Sequence, residues 1–236
     1  MFELPPPSPL TAAAFVAVCL LVAGLWIAGA YVSASTPARA RRDAALTALA
    51  LAAWMALTAG IAASGVLSSA SLPPPVMFYL MGNVAVTLAV ACSRLGGRLA
   101  REVPLWALVA AQGFRLPLEL VLWRLHLEGS LPSQMTFEGG NLDILTALTA
   151  LPLAWWLWRG GAPRAAVVAW NALGSTLLAI VVMIALLSAP LPLRQLHEEP
   201  AVLLVFHAPY TWIVSVLVAS ALAGHILVGR ALRAWR

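Results

Sequence analysis

Seven apolar stretches, each long enough to cross a membrane as a helix, leave this chain of 236 residues little choice of environment. They are Leu10–Ser33, Ala44–Val66, Val76–Ser93, Val103–Leu125, Leu142–Trp158, Ala165–Leu187 and Ala201–Val228. A hydrocarbon layer about 30 Å thick is crossed by about 20 residues of helix. Helix is expected because lipid offers backbone N–H and C=O groups no water to bond. A spanning β-barrel needs apolar and polar residues in strict alternation, and none of these runs alternates. With 62% hydrophobic and only 10% charged residues, the chain lies outside the range of soluble domains. The expected fold is all-α: a polytopic membrane protein whose residues 1–236 form a single seven-transmembrane-helix bundle, with no soluble domain and no long linker.

The 14 basic residues are all arginine, and their placement sets the expected orientation. Arg39, Arg41 and Arg42 follow span one; Arg94, Arg98 and Arg101 follow span three; Arg159 and Arg164 follow span five; Arg230, Arg233 and Arg236 lie in the tail. The opposite side has only Arg124 and Arg194, together with Glu3, Glu128, Glu138, Glu198 and Glu199. The positive-inside rule then puts the N-terminus outside and the C-terminus in the cytoplasm. The net charge of +5 follows from this bias, so no nucleic-acid partner is expected; the bilayer is. Oligomeric state stays open.

Residues 1–10 carry Glu3 and a proline run but no basic segment, so they are not read as a cleaved signal. Cys19 and Cys92 fall inside different spans at different depths and read as two buried, unpaired small side chains. Trp106, Trp123, Trp155, Trp156, Trp158 and Trp235 stand near span ends, where interfacial anchors belong.

Span four carries the chemistry. Gln112, Arg115, Glu119 and His126 are spaced three, four and seven apart and share one helical face. An arginine near mid-span costs about 2.5–3.5 kcal/mol on insertion scales, so it should face the bundle interior and be paired. Glu119, one turn on, is the expected partner, although Arg before Glu is the weaker order on a helix. Pro117 between them predicts a kink. In span seven, His207, Thr211 and Ser215 form a stripe that His225 extends. Asn83 with Thr87, and Asn171 with Ser175, offer polar faces on spans three and six. Asp143 opens span five, where it and Asn141 would equally serve as helix caps. Two readings of Arg115 and Glu119 remain open: a structural ion pair, or the heart of a ligand- or proton-binding cavity with His207, Asn83, Gln112 and Asp143. His225 reads mainly as a helix end near the cytoplasm. The segment from Glu128 to Asn141, with Leu131, Met135 and Phe137 among its polar residues, reads either as a lid packed over the bundle or as an ordinary exposed loop.

No H-E-x-x-H, C-x-x-C or G-x-S-x-G occurs. With no lysine, a retinal Schiff base is excluded. No cofactor is expected; a zinc site from Glu119, Asp143 and His207, or haem between His126 and His207, is only weakly signalled.

The runs Gln112-Gly-Phe-Arg-Leu-Pro-Leu-Glu119, Glu128 to Ile144, Trp170-Asn171 and Ser188 to Arg194 resemble a family of uncharacterised bacterial multi-pass membrane proteins. The resemblance covers about residues 105–215. It implies a multi-spanning inner-membrane protein and no particular activity. The layout also resembles rhodopsins and G-protein-coupled receptors, by span number alone. The expected function is binding or transport of a small solute, lipid head group or proton. The alternatives are a lipid-modifying enzyme using Glu119 or Asp143 with His207, and a non-catalytic sensor or partner subunit.

Overall fold

A computed structural model describes residues 4–69 and 71–234. Glu3, Trp235 and Arg236, which entered the orientation and anchor readings, lie outside the described residues. Among those described, the secondary structure is helical, with no strand.

α1 (Pro9–Val32) starts where Ser8 caps it, its side chain accepting from Thr11 N, with proline at the first helical position. α2 (Pro37–Ala63) is started the same way by Thr36 and Pro37. Those caps pull α2 seven residues ahead of the expected Ala44 and carry Arg39, Arg41 and Arg42 on its first turns. α3 is Pro75–Cys92. The stretch after it, expected to be a plain connection, folds as α4 (Arg94–Glu102), capped by Ser93 and burying Leu99 and Ala100 while Arg94 and Arg101 are exposed. Cys19 is buried, but Cys92, at the end of α3, is exposed.

Span four is broken. α5 (Leu105–Ala111) passes through a turn of 3-10 helix at Gln112–Phe114 into α6 (Arg115–Leu127). Pro117 has no N–H to give the carbonyl of Gly113, and the chain tightens there. α7 (Ile144–Trp158) has 15 residues, and α8 is Arg164–Ser188.

The last span departs most from expectation. The apolar run from Ala201 is not helical at first. Ala201 to Phe206 are buried with only a single 3-10 turn at Leu204–Phe206. Helix begins as a π-helical segment, Ile213–Val218, and continues as α9 (Ala219–Ala234). Irregular backbone at this depth is tolerated where protein satisfies it. Here the Tyr79 hydroxyl donates to Thr211 O and Trp54 Nε1 to Ser215 O, while the Trp212 ring ties the segment to α2 by donating to Met55 O.

Among the described residues, six helical segments are therefore long and apolar enough to cross a membrane: α1, α2, α3, the α5–α6 unit, α8, and the π-segment with α9; α7 is apolar but shorter. This fits a helical membrane bundle. α9 is its centre and packs against α3, α4, α5 and α8. Three apolar clusters form among the described residues: Leu67, Val76, Leu203 and Phe206 belong to one, which packs α3 against the irregular segment, and two others lie along the bundle. Of these two, one, at the end with the long connections, joins Phe15, Leu118, Leu125, Leu131 and Leu204. The other, at the arginine-rich end, joins Leu99, Val109, Leu153, Val167 and Leu227. A polar layer lies between them.

Candidate functional site

The broken fourth span places Arg115 at the first turn of α6, where its side chain is 1% exposed. Its Nη1 donates to Asp143 Oδ1 at 3.0 Å. The direct pairing expected with Glu119 is replaced by a relay. Asn141 Nδ2 bridges Glu119 Oε1 and Oε2 at 3.0 and 2.9 Å, and also donates to Met135 O at 3.1 Å. Asn141 Oδ1 in turn accepts from Asp143 N at 3.0 Å. Asn141 and Asp143, entering α7, thus hold both charged residues of one α6 face. The capping reading of Asp143 fails, because its carboxylate makes no cap bond and turns to Arg115. The physical reason is that a lone guanidinium in this core costs more than an uncapped helix start.

The remaining polar groups of the layer come from neighbouring helices. Gln112, 2% exposed, lies flat against Gly224 of α9, where a side chain on residue 224 would have no room. His225, one residue on, is buried; its Nδ1 pairs with Asn171 Oδ1 of α8 at 2.9 Å, and its ring stands 5.6 Å from that of Trp170. Gly174 of α8 leaves the space the imidazole occupies. His225 is therefore a core residue and not a helix-end group. Among the described residues, Arg115 Nε and Nη2, Gln112 Oε1 and His225 Nε2 are buried with no hydrogen-bond partner.

Two expected members stand apart. Asn83 is buried, but its Nδ2 turns back to Tyr79 O at 2.7 Å within α3. His207 is half-buried just after the 3-10 turn. Because the chain is not helical there, the expected His207–Thr211–Ser215 stripe is dispersed. Thr211 bonds the Tyr79 hydroxyl and Ser215 bonds Thr58. Among the described residues no three His, Cys, Asp or Glu side chains converge as a metal-ligand set would, so Glu119 and Asp143 share the relay without His207. His126 is also spoken for, its Nδ1 lying 2.9 Å from Leu131 O.

Beside the relay lies a cavity of about 510 Å³. Arg115, Glu119 and Asp143 reach its lining, but aliphatic side chains make most of it. A polar cavity was expected. The carboxylates of Glu119 and Asp143 are instead held by Asn141 and Arg115 at the edge of an apolar cleft. Met77, Met81 and Val84 of α3 form one wall, and Val181, Val182 and Ala185 of α8 the other. Met81 and Val84 also face outward from the bundle, 66% and 46% exposed. The roof comes from Met135, Leu191, Val202 and Leu204, on the two long connections. Gln134 Nε2 donates to Ser188 Oγ, and Ser133 Oγ to Glu198 Oε1 at 2.6 Å, tying those connections together. Leu131 and Met135 are buried, so the 128–141 segment is packed down on the bundle.

Comparison with protein-family models, curated proteins and solved structures finds no match to this chain. Of the residues singled out from the sequence, the structure buries Arg115, Glu119, Gln112 and Asp143 in one region of the bundle. Sequence reasoning missed Asn141 as the carboxylate clamp and His225 as an interior group. The signal for Asn141 was its place two residues before Asp143; for His225, Gly174 on the facing helix α8 marked the space.

Proposed function

We propose that this protein is a seven-crossing membrane protein of the bacterial inner membrane, N-terminus outside, that binds a membrane amphiphile. The chain or chains of the amphiphile would lie in the cleft between α3 and α8, and its oxyanionic head would reach Arg115. The arginine bias, with the long connections carrying most of the acidic residues, supports the orientation. α7 would complete the seventh crossing, its 15 residues extended by the Asn141–Asp143 turn at one end and Arg159 at the other.

One observation carries the ligand reading. Arg115 spends only Nη1 on Asp143, while Nε and Nη2, the side-on fork that grips carboxylate or phosphate with two parallel bonds, have no partner among the described residues. A cavity of this size lies in the range of ligand sites. Its aliphatic lining favours an acyl or prenyl chain over a sugar or free ion. The cross-tied roof favours entry sideways from the bilayer. Glu119 and Asp143, two carboxylates against one guanidinium, would take up a proton as an anionic head group arrives. An enzyme using Glu119 with His207 gains no support from this geometry.

The test is lipid analysis of protein purified in mild detergent. A co-purifying acidic amphiphile should be retained by the wild type and lost from Arg115→Gln. Ala185→Phe, which fills the cleft without touching the relay, should lose it too. Equal lipid content in all three proteins would refute the reading.

A further inference from the structure

At the arginine-rich end, two guanidinium groups converge over Gly97 of α4. A methyl carbon built on that glycine would lie 2.6 Å from Arg230 Nη2 and 3.4 Å from Arg101 Nη1. The two cationic heads therefore stand no farther apart than the sum of those distances. Like charges so close repel unless an anion lies between them. Neither is ion-paired with a carboxylate among the described residues. Asp43 is taken by Arg98 at 2.7 Å, and Glu102 is exposed beside Arg101. Arg230 is held in place because its Nη1 donates to Ala91 O and Ser93 O, closing the C-terminal end of α3. Its Nη2 is left to point over Gly97. Next to it, a hollow of about 450 Å³ is lined by Cys92, Ile226, Gly229, Arg230 and Arg233. Arg98 adds a buried Nε with no partner among the described residues.

We propose that Arg101 and Arg230, with Arg233 at the rim, form a phosphate-binding site between α3, α4 and α9. Planar guanidinium forks suit phosphate oxygens, and basic pockets between membrane helices on the cytoplasmic side hold anionic head groups. The site is independent of the cleft and lies at the opposite end of the bundle. Its phosphate comes from an anionic phospholipid or from free phosphate.

Native mass spectrometry of the full chain distinguishes these sources. The protein is supplied with phosphatidylglycerol, with phosphatidylcholine, or with inorganic phosphate alone. Arg101 is exposed, so Arg101→Gln should leave the fold intact. It should weaken phosphatidylglycerol retention about fivefold, the effect of one arginine near the surface. Arg39→Gln, an exposed arginine expected on the same side, serves as control and should change nothing. Phosphatidylglycerol retained over phosphatidylcholine and insensitive to inorganic phosphate identifies a lipid site; displacement by inorganic phosphate identifies a free-anion site. The proposal is overturned if Arg101→Gln and Arg39→Gln behave alike, since the basic end would then act only as a diffuse charge.

Discussion

The guanidinium of Arg115 and the carboxylate of Asp143 are 28 residues apart in sequence and 3.0 Å apart in the middle of the bundle. Removing one partner strands the other in a low-dielectric core, which costs about 3–5 kcal/mol; removing both together costs far less. Asp143→Ala should therefore lower stability in mixed micelles by that amount. Arg115→Leu combined with Asp143→Leu should recover most of it. Additive losses in the double variant would mean that the two side chains act separately.

Asn141 donates from one amide to both oxygens of Glu119. Asn141→Asp would replace those donors with a second negative charge and should destabilise more than Asn141→Ala, itself expected to cost about 1–3 kcal/mol. The ranking of the two variants in an unfolding titration is the check. A result with Asn141→Asp as the milder change would contradict the relay.

Gln112 rests on Gly224 with no space between them for a Cβ. Gly224→Ala should cost about 1–3 kcal/mol through overpacking, although alanine is the better helix former. Adding Gln112→Ser should restore the loss by making room, and a double-variant cycle measures that coupling.

Glu128 ties the start of α1 to the end of α6. The Thr11 hydroxyl, together with the Ser8 amide and hydroxyl, holds its carboxyl below the ordinary value of 4.5. A depressed carboxylate stabilises the fold above the unfolded value, and that contribution is lost as pH falls through the folded one. Thermal stability should accordingly drop on acidification below 4.5. The drop should be smaller in Glu128→Gln, which starts from lower stability at neutral pH. Parallel pH curves for the two proteins would remove Glu128 from this role.

Glu138 is exposed on the 128–141 connection, and Cys92 is exposed at the arginine-rich end. With the N-terminus outside, an impermeant thiol reagent applied to spheroplasts should label Glu138→Cys at once. It should reach Cys92 only after permeabilisation. The reverse order would invert the topology.

Much of the bundle was legible because an apolar run of span length has few alternatives in lipid. Arg115 and Glu119 announced themselves by the expense of burying them. Their partners were not legible, since pairing depends on how α7 approaches α6, and no periodicity within one helix reports that. The stripe through His207 assumed that an apolar run is a helix throughout. Ala201 to Phe206 is apolar for another reason: it is buried as irregular chain, and just beyond it the Tyr79 hydroxyl donates to Thr211 O and Trp54 Nε1 to Ser215 O. The short α4 was hidden because its arginines suggested a simple cytoplasmic connection, whereas Leu99 and Ala100, with Gly96 and Gly97, give it a face that packs on the bundle. The cleft is mostly aliphatic because the relay occupies the carboxylates of Glu119 and Asp143, so that the polar lining is confined to Arg115, Glu119 and Asp143.

The most direct measurement is a structure of the protein in a lipid nanodisc made from its native membrane. The account predicts elongated density between α3 and α8, ending in a head group within hydrogen-bonding distance of Arg115 Nε and Nη2. A cleft closed by side chains, with that fork bonded instead to Gln112 and His225, would contradict it and leave the buried charges as a purely structural brace.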